Sequence, residues 1–187
     1  MLGRGCSWVA LSALVLAGCG GGDDDDDETD AISGLAGIYE TISDAYSKPC
    51  DAPGTASNAP AYFTIVDASF LGFPFVNVYS CTSSEPASCE GEDNGSPLVF
   101  AAEKTNGGVF HSESSSRIGS ETSCTASHHT DDIVKTSDGV TITTEELSGE
   151  WTGADCSDEF TQEVADKTKS LPCFSREIWS GQRISGN

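Results

Sequence analysis

The sequence predicts an all-β domain: an antiparallel up-and-down meander, closed as a barrel or stacked as a sandwich. About eight strands are expected, with one C-terminal helix before the last of them. Three observations predict this. Short runs rich in β-branched and aromatic residues recur at fairly regular spacing. Tight-turn residues, rather than helical stretches, separate most of them. No segment repeats at a fixed period, which excludes a propeller or a solenoid.

Gly37-Ile38-Tyr39-Glu40-Thr41-Ile42 reads as the first strand, and residues 47–60, with Pro49, Cys50, Pro53, Gly54 and Pro60, as a loop. Runs 61–67 and 73–80 follow, joined by a turn at Leu71-Gly72. Phe63 and Ile65 share one face of the first run. In the second, Phe73, Phe75 and Tyr79 alternate with Val76 and Val78. Both faces are partly apolar, so this pair is expected to be the most buried. After a polar loop over 81–96, Asn106-Gly107 between runs 98–103 and 109–113 is a strong hairpin signal. Runs 121–129 and 132–135 come next, and Asp138-Gly139 then turns the chain into 140–146. There Val140 and Ile142 alternate with threonines, the pattern of a half-exposed strand. The helix is signalled by Ser157 as N-cap, Asp158 and Glu159 in its first turn, Lys167 and Lys169 near its end, and Pro172 as the stop. Phe160, Val164 and Leu171 form its apolar stripe. Residues 174–179 read as the closing strand.

Ahead of this domain stands a different kind of sequence. Arg4, a brief apolar run over 8–17 and small residues at Ala17-Gly18 describe a secretory signal peptide. The apolar run is half the roughly 20 residues a membrane-spanning helix needs. Leu16-Ala17-Gly18-Cys19 resembles a bacterial lipobox. That resemblance implies that Cys19 receives a diacylglycerol, that residues 1–18 are removed, and that the chain is held on the cell envelope by lipid. Gly20, rather than aspartate, follows the cysteine, which favours the outer membrane over the inner. Residues 19–33, glycine and aspartate for the most part, form an extended tether, and 34–187 the folded domain.

The chain carries 9 Lys and Arg against 30 Asp and Glu. Seven of the acids lie in the tether and Arg4 leaves with the signal, so the domain keeps 23 acids and 8 bases, net −15. Such a surface repels phosphate backbones, which excludes nucleic acid as a partner. Of 8 cysteines, Cys6 lies in the signal and Cys19 is the lipid site. The remaining six read as disulfides in an exported chain, and no close C-x-x-C pair suggests zinc or redox chemistry. Cys81 and Cys89 bracket a loop and Cys156 and Cys173 bracket the helix. The expected pairs are therefore Cys81–Cys89, Cys156–Cys173 and, for the remaining two, Cys50–Cys124.

The domain also resembles the lipocalins and related calycin barrels in outline. Gly37-Ile38-Tyr39 stands where that family has Gly-x-Trp, the meander is up-and-down, and a helix precedes the last strand. The family's middle Thr-Asp-Tyr signature is missing. The resemblance implies a late arginine, Arg176 or Arg183, packed over Tyr39. It also implies a cavity for a small apolar ligand near Tyr39, Phe63, Phe73, Phe75, Tyr79 and Trp179.

Candidate chemistry is sparse. If 109–113 pairs with 121–129 through a turn near Gly119, His111 falls opposite residue 127 or 128. His111 and His128 are then cross-strand neighbours with Asp131 and Asp132 close by, a set that suits zinc or copper. His128 and His129 point to opposite faces and cannot clasp one ion. Exposed sheet histidines explain the same residues without any metal, and no cofactor is expected. Glu90, Glu92, Asn94 and Gly95 imitate half a calcium loop, but its twelfth place is Ala101. No Gly-x-Ser-x-Gly elbow or phosphate-cradling loop is present. The reading is a lipid-anchored, non-enzymatic binding or structural module of the cell envelope. Its partners are the membrane, through Cys19, and an envelope protein. A lipocalin-like carrier and a secreted hydrolase with an unrecognised site are the alternatives.

Overall fold

The structure, a computed structural model, describes residues 33–89, 96–157 and 159–185. The signal, the lipobox with Cys19, almost all of the tether and the half calcium loop at 90–95 lie outside the described residues. Each predicted β run is a strand, and each is extended by its hydrogen-bonded neighbours. They are β1 (Gly37–Ser47), β2 (Tyr62–Phe70), β3 (Phe73–Cys81), β4 (Val99–Lys104), β5 (Phe110–Gly119), β6 (Ser123–Lys135), β7 (Gly139–Thr152) and β8 (Cys173–Ser185). All neighbours are antiparallel, and β1 pairs with β8, so the meander closes as a barrel in chain order. The runs at 121–129 and 132–135 are one strand, since Thr130 and Asp131 between them pair with both β5 and β7.

Strand alternation assigns two faces, and packing chooses the inner one. Tyr39 and Phe63 are 1% and 0% exposed, with rings stacked 5.1 Å apart, and Trp179 meets Phe63 edge-on at 4.7 Å. Ile65, Val76, Val78, Val99, Ile133 and Ile142 complete the same cluster. An eight-stranded barrel has an interior just wide enough for side chains to fill, and these fill it. Gly181 belongs to this packing: a Cβ there would run into the Phe63 ring and stand 3.1 Å from Tyr39 Cβ.

The expected apolar cavity is therefore corrected. Tyr39, Phe63 and Trp179 pack on one another. Phe73, 67% exposed, sits at the β2–β3 hairpin tip. Tyr79 and Phe75 lie on the outer face, because the small valines beside them take the places left inside by the rings of β1, β2 and β8, and on that face Tyr79 is still covered to 3% exposure. Of the two arginines expected over Tyr39, Arg183 is its cross-strand partner on β8 but makes no ring contact with it among the described residues. Arg183 donates to Ala36 O, and Arg176 grips Glu145 on the outer wall with bonds of 2.9 and 2.6 Å. Burial raises the Tyr39 pKa, against a smaller lowering by Arg183, and its hydroxyl donates to Leu35 O at 2.5 Å.

The helix differs from expectation as well. Two short pieces, α1 (Ala154–Ser157) and α2 (Gln162–Thr168), replace one. Thr161 caps α2, its hydroxyl accepting from Val164 N at 3.4 Å, while Ser157 ends α1. Both lie on the outer face of β5–β7, where Cys124, Ala126, His128, Cys156 and Val164 are buried.

The disulfides are Cys50–Cys173, Cys81–Cys89 and Cys124–Cys156. Only Cys81–Cys89 matches the expected pairing. Closure of β1 on β8 sets Ser47 opposite Arg176 and brings the following loop, with Cys50, to Cys173. Cys124 points outward under α1 and meets Cys156 there. The expected Cys156–Cys173 bond assumed that cysteines close in sequence pair, which left Cys50 for Cys124, and barrel closure overrides both.

Candidate functional site

Strands β5 and β6 carry nearly all of the molecule's clustered titrating side chains. Their register places Phe110 opposite Ile133, both in the core, so Ser112, Ser114, His129 and Asp131 also face inward. His111, Glu113, Ser115, His128 and Asp132 face outward, toward α2.

On the inner side the centre is Asp131, 3% exposed. Its Oδ1 accepts from Thr144 Oγ1 at 2.7 Å. Its Oδ2 accepts from Ser112 Oγ at 3.1 Å and lies 3.2 Å from His129 Nε2. The hydrogen bond to Asp131 raises the His129 pKa, burial opposes it, and the charges of Asp131 and Glu146 add to the rise. Three donors on one carboxylate account for a buried charge in a barrel wall. Ser112 spends its proton on Asp131 rather than on an imidazole, so this trio lacks the nucleophile–base bond of a hydrolase.

This inner cluster is reachable from outside because the barrel wall has a seam. β4 pairs with β5 only through Glu103↔His111 and Lys104↔Phe110. A bulge explains the early end: β3–β4 pairing shifts between Val76 and Val78, and Ala101 takes a left-handed φ of 52°. Buried Asn77 holds that turn by accepting from Ala101 N at 2.7 Å. Beyond the two pairs the chain diverges from β5. A cleft of about 240 Å³ opens, lined by Pro97, Leu98, Phe100, Ser112, Glu113, Ser114, His129 and Asp131.

On the outer side Glu113 is the hub. Its Oε1 takes a 2.9 Å bond from Lys169 Nζ, and its Oε2 faces His111 Nε2 at 3.9 Å and His128 Nε2 at 3.8 Å. His111 Nδ1 lies 2.8 Å from Asp132 Oδ1, and His128 Nδ1 lies 2.8 Å from Ser115 Oγ. The Lys169 bond holds the Glu113 carboxyl below its ordinary range. Burial under α2 lowers the His128 pKa, only partly offset by Glu113. Ser115 and His128 form a nucleophile–base pair by distance. However, Ser115 Oγ is also held 2.9 Å from fully buried Thr168 Oγ1.

The expected meeting of His111 with His128 is corrected in its detail. His111 pairs with Asp132 and His128 with Ser115, a register displaced from the one expected. The imidazoles nevertheless share a face and a carboxylate. Of the two aspartates expected nearby, Asp132 joins them and Asp131 faces the other way. Glu113 was missed, although two-residue alternation from His111 puts it on the same face. Lys169 and Thr168 arrive from α2 and carry no signal near the histidines. One further grouping is spent already: the Cys50 and Cys173 sulfurs near Glu145 are bonded to each other. No protein-family model, no curated protein and no solved structure matches this chain.

Proposed function

We propose that the chain is a lipid-anchored protein of the bacterial cell envelope whose barrel serves as a binding module, working through the β4–β5 seam. The observation that carries the binding role is that seam. A 240 Å³ cleft there joins apolar Pro97, Leu98 and Phe100 to the polar Ser112, His129 and Asp131. An otherwise filled barrel leaves its wall, rather than its interior, to meet a partner. Beyond Ser112 the β4-side edge of β5 has no β4 residue paired to it, the kind of edge an extended segment of an envelope protein can join. The anchoring role rests on Leu16-Ala17-Gly18-Cys19 and the acidic tether behind it. Two chains or more hold a protein firmly on a bilayer, as lipidated cysteine ends do.

Two measurements test the two halves separately. Intact-mass analysis of the envelope form is expected to show a diacylglycerol on Cys19 and loss of residues 1–18, both abolished by Cys19→Ala; an unmodified Cys19 overturns the anchor. A photo-crosslinking side chain at Ser114 is expected to trap one envelope protein, with a clear loss of yield on Leu98→Asp. Equal yield from a position on the far wall, such as Ile42, overturns the seam.

A further inference from the structure

The outer-face hub holds an arrangement that hydrogen bonding alone does not account for. His111 Nδ1 faces a carboxylate oxygen, Asp132 Oδ1, at 2.8 Å, so that nitrogen carries a proton. On the His128 side, Thr168 Oγ1 of α2 donates to Ala165 O at 2.6 Å. Its only proton is spent there, so Ser115 donates to Thr168 and accepts Nδ1–H from His128. In the neutral form each imidazole thereby leaves a bare lone pair on Nε2. Both of those nitrogens face the same oxygen, Glu113 Oε2, at 3.9 and 3.8 Å, distances beyond a hydrogen bond. In that form both nitrogens turn an electron pair toward one carboxylate oxygen within 3.9 Å, while the two imidazoles stand farther than 4.8 Å from each other. Such a cluster is repulsive on its own and attractive around a cation.

We infer that His111 Nε2, His128 Nε2 and Glu113 Oε2 form a binding site for a divalent transition metal, zinc by preference, between β5, β6 and α2. The second shell matches the chemistry: each ligand's other polar atom is already held, by Asp132, Ser115 and Lys169 respectively. Two imidazoles and one carboxylate suit zinc or copper rather than calcium or magnesium, which take oxygen. Ligands about 2.0–2.1 Å from a tetrahedral ion stand about 3.3 Å apart, so each nitrogen–oxygen gap closes by roughly half an ångström. The imidazoles must also swing toward each other, and His111, on the open side of the cluster, has the room. The fourth position is left to water or to a side chain of a partner. The site shares Glu113 with the lining of the seam cleft and His111 with the last β4–β5 pairs, but it needs neither a seam partner nor the lipid anchor.

Titration of zinc into the metal-free mature chain by calorimetry tests this, with ¹⁵N shifts of the histidine side chains as a second readout. One ion per chain is expected, moving the Nε2 signals of His111 and His128 and leaving His129 in place. Asp132→Asn should weaken binding about 10–100-fold, and His111→Ala at least as much. His111 is partly exposed, so its loss leaves the fold intact, which a control on buried His128 does not guarantee. His129→Ala, on the opposite face and in the seam, should leave zinc binding as it is. Weak binding by the aspartates of residues 23–27 would persist in His111→Ala and so is subtracted by it. The site is overturned if neither zinc nor copper(II) binds, or if His111→Ala and Glu113→Gln bind as the unaltered chain does.

Discussion

His128 and His129 are adjacent in the chain and opposite in circumstance. His128 faces out, yet α2 covers it to 4% exposure; its bonded partner is a neutral hydroxyl, and burial pushes its pKa down. His129 faces the barrel interior, yet its side chain is 44% exposed at the seam; its partner is the buried Asp131 carboxylate, and its pKa rises. The nominal inside and outside of the barrel are exchanged at this point, because a helix covers the outer wall and a bulge opens the inner one. What decides an imidazole's charge is the partner and the covering layer, not the face of the strand.

The largest expected effect breaks the covering layer. Replacing both Cys124 and Cys156 by serine removes a bond spanning 32 residues. By loop entropy this costs about 3–4 kcal/mol, less if the unfolded chain is compact. Denaturant midpoints measure it. If α1 and α2 then lift away, the His128 pKa returns toward its ordinary value while that of His129 stays raised. An unchanged His128 titration would show that the sheet itself, not the helix, sets it.

A smaller effect breaks the inner partner. Asp131→Ala leaves Ser112 and Thr144 without their acceptor and should cost about 2–3 kcal/mol. Asp132→Ala, next in sequence but on the exposed side, should cost under about 1 kcal/mol. Equal losses at the two positions would contradict the burial argument.

The smallest effect sharpens the comparison without mutation. His129 has a folded pKa above its unfolded one, so its contribution is fully present below the unfolded pKa. It is lost as pH rises through the folded value. His128 has a folded pKa below its unfolded one, so the folded state loses stability as pH falls from the unfolded value through the folded one. In metal-free buffer, NMR titration should therefore show His129 protonating before His128 on acidification. The reverse order would refute the assignment of partners.

Strand positions were legible because each carries its own alternation and its own turn, as Asn106-Gly107 and Asp138-Gly139 do. Part of the outer cluster was legible for the same reason. His111 and His128 belong to neighbouring strands, so any register near the true one sets them within reach of each other. The register itself was missed because the turn lies later than supposed, after Gly119 rather than at it, with Gly119 opposite Cys124. Lys169 and Thr168 were not legible at all. They are 56 and 53 residues from the β5 partners they touch, and nothing local records where a helix will dock.

By itself, then, the sequence determined the all-β class, the order of the strands, the number of half-cystines in the domain and the acidic surface. Each of these is written in composition or in spacing of a few residues. Tertiary structure alone decided that the meander closes β1 on β8, that Cys50 meets Cys173, and that the valines rather than the phenylalanine and tyrosine of β3 turn inward. Alternation divides a strand into two faces with equal authority. Only the volume left inside by Tyr39, Phe63 and Trp179, contributed from three other strands, settles which face turns into the barrel.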